Sequence, residues 1–244
     1  MIKKYFGTDG IRGTFGQFPI TENFFFKLAL SIKKTHSNIS KIIIGKDTRK
    51  SCDQIESALI SGFSKENIKC DSCGIVSTPI LSFNTRNFDY DLGIMISASH
   101  NPYNDNGIKI FKKNGEKLTD NDEIEIEKNI DLDDKGLPSS IENKAISKIV
   151  LENYENELIS KFSKLSDFKQ KITLDCANGS LSKIAPKVLK ELQLNFINYA
   201  SEPNGININE NCGAMHPTRL SSNTLHYNSD IGISFDGDAD RVVF

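Results

Sequence analysis

Short apolar runs alternate with amphipathic stretches along most of the chain, the pattern of strands joined by helical crossovers in an α/β fold. Lys41 to Gly45 reads as a buried strand, and Ser51 with Gln54 makes a capping box opening the next helix. Ile55, Ala58, Leu59, Gly62 and Phe63 then recur at helical spacing, which predicts one buried helix face. Ile68 to Cys73 reads as a second strand, Thr78-Pro79 as the start of a short helix, Asp91 to Ala98 as a third strand and Gly107 to Lys112 as a fourth. Thr119 to Asn129 is acidic and reads as a surface helix.

From about Asp131 to Asn143 apolar periodicity stops, which marks a linker. The pattern restarts with a helix from about Ile146 to Leu165, a strand Lys171 to Ala177, a helix Leu181 to Leu192 and a strand Asn195 to Tyr199. A polar loop follows from Ser201 to about Pro217, and strand Asp230 to Phe235 leads into an acidic loop. The expected fold is therefore α/β, in two consecutive domains at 1–140 and 141–244. Val242 to Phe244 looks like the opening of a strand, so the second domain is expected to be incomplete.

Composition narrows the function. Of the 244 residues, 38% are hydrophobic and 25% charged, a globular balance, and the formal net charge is −2. No broad basic field is present to attract nucleic acid or an anionic membrane surface. The most apolar stretch, Phe24 to Ile32, contains Lys27 and is too short to span a bilayer. The N-terminus lacks the apolar core of a signal peptide, so the cytoplasm is the expected location. Five cysteines cannot form a complete disulfide framework. Cys70 and Cys73 form a C-x-x-C with no second pair to complete a zinc site, and read as reduced thiols; Cys52, Cys176 and Cys212 read as buried small apolar residues.

Three segments carry chemistry. In Asp236-Gly-Asp238-Ala-Asp240-Arg241, small residues separate three carboxylates, whose mutual repulsion calls for a cation. Oxygen-only ligands suit Mg²⁺ rather than zinc. Ser99, followed by His100 and Asn101 and by Lys109 ten residues on, lies just past a buried strand, where open α/β sheets place their sites. Gly7, Gly10 and Gly13 surround Arg12, a combination that lets backbone amides and a guanidinium approach a phosphate. Asp47 and Arg49, in GKDTRKS at a strand-to-helix junction, read as a structural pair that caps the helix.

The order FGTDGIRG, GKDTRKS, SASHNP, DGDADR resembles the α-D-phosphohexomutases, with a likeness running from Tyr5 to Phe244. DCANGS at 175–180 and the NCG…HP stretch at 211–217 most resemble the phosphoglucosamine mutase branch, although Lys46, Cys52 and the CGAMHPTRL run depart from its usual motifs. The resemblance implies two consecutive mixed-sheet α/β/α domains of the phosphohexomutase type, the second incomplete, and a phosphorylated serine at Ser99. It further implies Mg²⁺ held by Asp236, Asp238, Asp240 and the phosphoserine, with Arg12, His100, Lys109 and Arg241 around the phosphoryl group, Lys109 as a proton-transfer candidate. A phosphosugar substrate, a sugar 1,6-bisphosphate intermediate and, in a full-length form, a homodimer come with it. Relatives have four domains, the third recognising sugar and the fourth its phosphate, so a chain of two is expected to turn over little alone. The alternatives are a phosphoglucomutase or phosphomannomutase, a haloacid-dehalogenase-like phosphatase with Asp236 and Asp238 as its D-x-D pair, and a non-catalytic fragment.

Overall fold

The computed structural model describes residues 3–133 and 148–244, so most of the expected linker lies outside the described residues. Nine strands and seven α-helices are seen among them. The first sheet contains β1 (Ile11–Thr14), β2 (Lys41–Lys46), β3 (Lys69–Ile75), β4 (Leu92–Ile96) and β5 (Asp105–Lys112) in the order β1-β5-β4-β2-β3. β2 runs parallel to β3 and β4, while β5 is antiparallel to β4 and β1. The second sheet has the order β7-β6-β8-β9, from β6 (Ile172–Asp175), β7 (Phe196–Tyr199), β8 (Ile231–Phe235) and β9 (Val242–Val243). Its first three strands are parallel and β9 is antiparallel to β8, so both sheets are mixed, as expected.

Alternation along β2 builds two layers of core. Ile42 and Ile44 face α1 (Glu22–Thr35), α2 (Cys52–Lys65) and α4 (Asp120–Lys128), and Ile43 joins α3 (Thr78–Asn87) on the other side. That second core continues into Tyr154 and Leu158 of α5 (Lys148–Lys161) and Ile184 and Val188 of α6 (Ile184–Glu191). One apolar cluster thus spans both α/β units and helps set their relative position.

Four local readings need correction or addition. Ser51 precedes α2 in a helical conformation and caps nothing with its side chain, because the turn from Arg49 already winds the backbone. Its Oγ instead accepts from Asn106 Nδ2 at 2.8 Å. α1, capped by Thr21, is absent from the sequence reading because Phe24, Phe25, Phe26, Leu28, Ala29 and Ile32 are all buried and leave no one-sided stripe. Its close approach to α2 requires Gly62, whose missing Cβ would lie 2.5 Å from the Phe26 carbonyl oxygen. The glycine-rich FGTDGIRG segment is only half loop: after a turn with Gly10 at φ 83°, Arg12 sits on β1 opposite Gly107 of β5. The stretch after the polar loop forms α7 (Pro217–His226) with proline in its first turn. All five cysteines are buried and none forms a disulfide among the described residues, Cys70 and Cys73 lying on β3.

Candidate active site

Two loops leave the carboxyl ends of parallel strands and meet. The first follows β4, the second follows β8, which is where open α/β sheets collect functional groups. Because β2 and β4 are parallel with Lys46 opposite Ile96, Asp47 emerges beside Ser97. The Asp47 carboxylate accepts from Ser97 Oγ at 2.6 Å and from Arg49 N and Nε at 3.0 Å, and Ser97 Oγ in turn accepts from Ser99 N at 2.8 Å. Arg49 donates onward to the carbonyls of Ser99, Asn101 and Pro102 at 2.8–3.0 Å. Asp47 and Arg49 are thus structural, as read, but what they brace is the serine loop, with Ser99 held in the left-handed region at φ 54°. Both side chains are fully buried. Asp47→Ala is expected to cost about 3–5 kcal/mol, since it leaves the guanidinium buried without its carboxylate. Urea denaturation checks this; a loss below about 1 kcal/mol would mean that Arg49 finds another partner.

Ser99 Oγ, fully buried, donates to Asp236 Oδ2 of the second α/β unit at 2.5 Å. Oxygens of Asp236, Asp238 and Asp240 all lie within 4.8 Å of one another, enough to hold a metal ion. Each pair of unit charges at that range repels by on the order of 3 kcal/mol at an effective dielectric near 20. Burial and the neighbouring Asp238 carboxylate accordingly push the Asp236 carboxyl pKa up. Lys109 on β5 partly offsets the charge, its ammonium lying 2.7 Å from Asp238, 2.6 Å from Asp240 and 3.2 Å from Asp9. Burial alone would lower the Lys109 pKa, but Asp238 and Asp240 raise it to about 12. It is therefore charged at neutral pH and in this state can release a proton but not accept one. Asp238 Oδ1 remains buried with no hydrogen-bond partner. An acceptor left in that condition, inside an all-oxygen carboxylate set, fits a hard divalent cation.

The remaining expected residues gather here as well. His100 Nδ1 is 3.4 Å from Ser99 Oγ and accepts from Arg241 at 3.0 Å. Burial and then the charges of Arg241 and Arg12 lower its pKa, so it is neutral at pH 7. Arg12 pairs with Asp9 and leaves its Nε buried without a partner. Arg241 is half-exposed, its backbone amide 3.2 Å from Asp236 Oδ1. Asp9 and Thr78 are additions. Thr78 donates to Asp238 through both its hydroxyl, at 2.6 Å, and its backbone amide, at 2.9 Å. Asn209, in the polar loop of the second unit, donates to the carbonyls of Ser99 and Asn101 at 2.9 and 3.1 Å. Nothing in local spacing singles out Thr78 or Asn209, because their partners lie more than a hundred residues away in the chain.

Comparison with solved structures gives the class. Over 98% of its length the chain matches 53% of a phosphoglucomutase/phosphomannomutase family protein from Burkholderia thailandensis, with a TM-score of 0.80 at 21% identity, and so has the phosphohexomutase fold. Residues 3–136 match the description "Phosphoglucomutase/phosphomannomutase, alpha/beta/alpha domain I" and residues 151–244 match domain II, so the chain belongs to the phosphoglucomutase/phosphomannomutase family. Among curated relatives it is similar to the phosphoglucosamine mutases of Maricaulis maris (41% identical over 250 residues) and Neisseria meningitidis (43% over 251). It is covered completely in both comparisons and spans 56% of each relative. No helix of the described residues is long and apolar enough to cross a membrane.

Proposed function

We propose that these residues form the phosphoserine- and cation-bearing part of a phosphoglucosamine mutase, which interconverts glucosamine 6-phosphate and glucosamine 1-phosphate through a 1,6-bisphosphate. The observation that carries this reading is the 2.5 Å contact between Ser99 Oγ and Asp236, which brings a hydroxyl from one domain to the carboxylate trio of the other. The curated relatives named phosphoglucosamine mutase, at 41–43% identity, supply the choice of sugar. The two family matches leave 137–150 between them, which supports a division between the domains at about residue 140.

Asp236, Asp238 and Asp240, with an oxygen of phosphorylated Ser99, would hold Mg²⁺, which supplies charge neutralisation for phosphoryl transfer when bound. The phosphorus–oxygen bond to Ser99 Oγ breaks as the free hydroxyl oxygen of the hexose phosphate bonds to phosphorus. The sugar becomes a bisphosphate, the proton that its hydroxyl gives up balances the one that Ser99 Oγ takes up, and Ser99 Oγ restores its bond to Asp236. The bisphosphate turns over in the cleft and returns its other phosphoryl group to Ser99. Arg12, Arg241 and Lys109 supply fixed positive charge around the transferring group, and neutral His100 a hydrogen-bonding partner beside Ser99. Sugar recognition would come from the part of such an enzyme that these residues do not represent, and the reaction would run in the cytoplasm.

The whole protein, incubated with glucose 1,6-bisphosphate and Mg²⁺, is expected to gain the mass of one phosphoryl group at Ser99. The adduct should resist hydroxylamine, whereas a phosphoaspartate of the dehalogenase type would be cleaved by it. Turnover should be fastest on glucosamine phosphates among three hexose phosphates. Faster turnover of glucose or mannose phosphates would move the protein to a sister activity, and an unmodified protein with no turnover would refute the reading.

A further inference from the structure

Ser99 meets the second domain at two points that behave differently during the proposed reaction. Its Oγ donates to Asp236, and its carbonyl oxygen accepts from Asn209 Nδ2. An esterified Oγ has no proton to donate, so the contact with Asp236 is lost whenever the serine carries a phosphoryl group. The Asn209 contact involves only backbone carbonyls and is available in both states. The same two carbonyls, of Ser99 and Asn101, also accept from Arg49. Arg49, however, belongs to the first domain and moves with the serine loop. Asn209 belongs to the domain that carries the carboxylates.

Asn209 is itself tightly placed. It is buried, with φ 58°, its backbone amide donates to the Ala177 carbonyl at 2.9 Å, and its Nδ2 lies 3.0 Å from where a Cβ on Gly237 would stand. Gly237 separates Asp236 from Asp238, and that missing Cβ would also be 2.6 Å from the Ser99 carbonyl oxygen. The amide therefore stands where the serine loop and the carboxylate loop come closest.

We propose that Asn209 is a positioning residue that holds the serine loop in register with the carboxylate trio while Ser99 gains and loses its phosphoryl group. The inference rests on the phosphoserine reading above. Asn209→Gly removes the amide, tolerates the left-handed backbone and adds no charge. In the whole protein it is expected to lower kcat by about 100-fold, the scale of a misplacement near 1 Å, with KM for the hexose phosphate changed less than about twofold. The ³¹P resonance of phospho-Ser99 should shift relative to the parent protein, because its surroundings are no longer fixed. Asn209→Asp, near-isosteric but unable to donate, should show the same kcat loss. A kcat within about twofold of the parent in both variants, or a loss explained by a smaller folded fraction at the assay temperature, would overturn the proposal. If the parent protein takes no phosphoryl group on Ser99, the functional reading fails first and this inference falls with it.

Discussion

Ser99→Ala in the whole protein is expected to abolish the phosphoryl adduct and to lower mutase turnover by at least about 10³-fold. The hydroxyl is the proposed carrier, and among the described residues no other hydroxyl donates to Asp236. Alanine keeps the Cβ that serine already places at this left-handed position, φ 54°, so it adds no backbone strain of its own. Ser99→Gly removes that Cβ together with the hydroxyl, so the two variants should lose turnover alike if the hydroxyl is what carries the phosphoryl group. Turnover within tenfold of the parent in the glycine variant would show that phosphate travels by another route.

Asp238→Asn is expected to have the second largest effect. Asp238 lies between the other two carboxylates in sequence, accepts from Thr78 and Lys109 through Oδ2, and leaves Oδ1 without a partner. An amide keeps the shape but removes a charge that a divalent cation needs. Calorimetry should show Mg²⁺ affinity falling by about 100-fold or more, since losing only a hydrogen-bond partner behind a metal ligand already costs about 10–100-fold and here the ligand itself loses its charge. Without Mg²⁺, stability should change little, because relief of the repulsion with Asp236 offsets the weaker Lys109 pair. With Mg²⁺ at 100 times the parent Kd, the parent should gain about 2.7 kcal/mol and the variant almost nothing. Equal stabilisation of both proteins by Mg²⁺ would place the cation elsewhere.

Much of the fold was legible because it depends on local periodicity. β2, α2, β3 and β8 are uninterrupted apolar or amphipathic runs, and their ends agree with the structure to within two or three residues. Elements whose partners are distant were less legible. α1 is buried on too many sides to show a stripe, β1 hides inside a glycine-rich motif because its identity as a strand comes from pairing with β5, and α7 follows a long polar loop. At the site, acidic spacing pointed to Asp236, Asp238 and Asp240, the loop past a buried strand to Ser99, His100 and Lys109, the glycine cluster to Arg12, and the motif resemblance to Arg241 and to the role of each. Their convergence needs the tertiary fold, as do the supports. Asp47 meets Ser97 because β2 and β4 are parallel, Thr78 reaches Asp238 across the domain seam, and Asn209 reaches the Ser99 carbonyl from a loop that reads as plain polar sequence.

The central claim is that the serine and the three carboxylates serve one cation between them. Mn²⁺ titrated into the Ser99-phosphorylated protein in place of Mg²⁺ tests it through paramagnetic broadening of the phosphoserine ³¹P resonance. The account predicts that the resonance broadens beyond detection at about one equivalent of Mn²⁺ and stays sharp in Asp238→Asn at the same concentration. A phosphoserine line that remains sharp in the parent protein while Mn²⁺ is demonstrably bound would put metal and phosphate in separate places and contradict it.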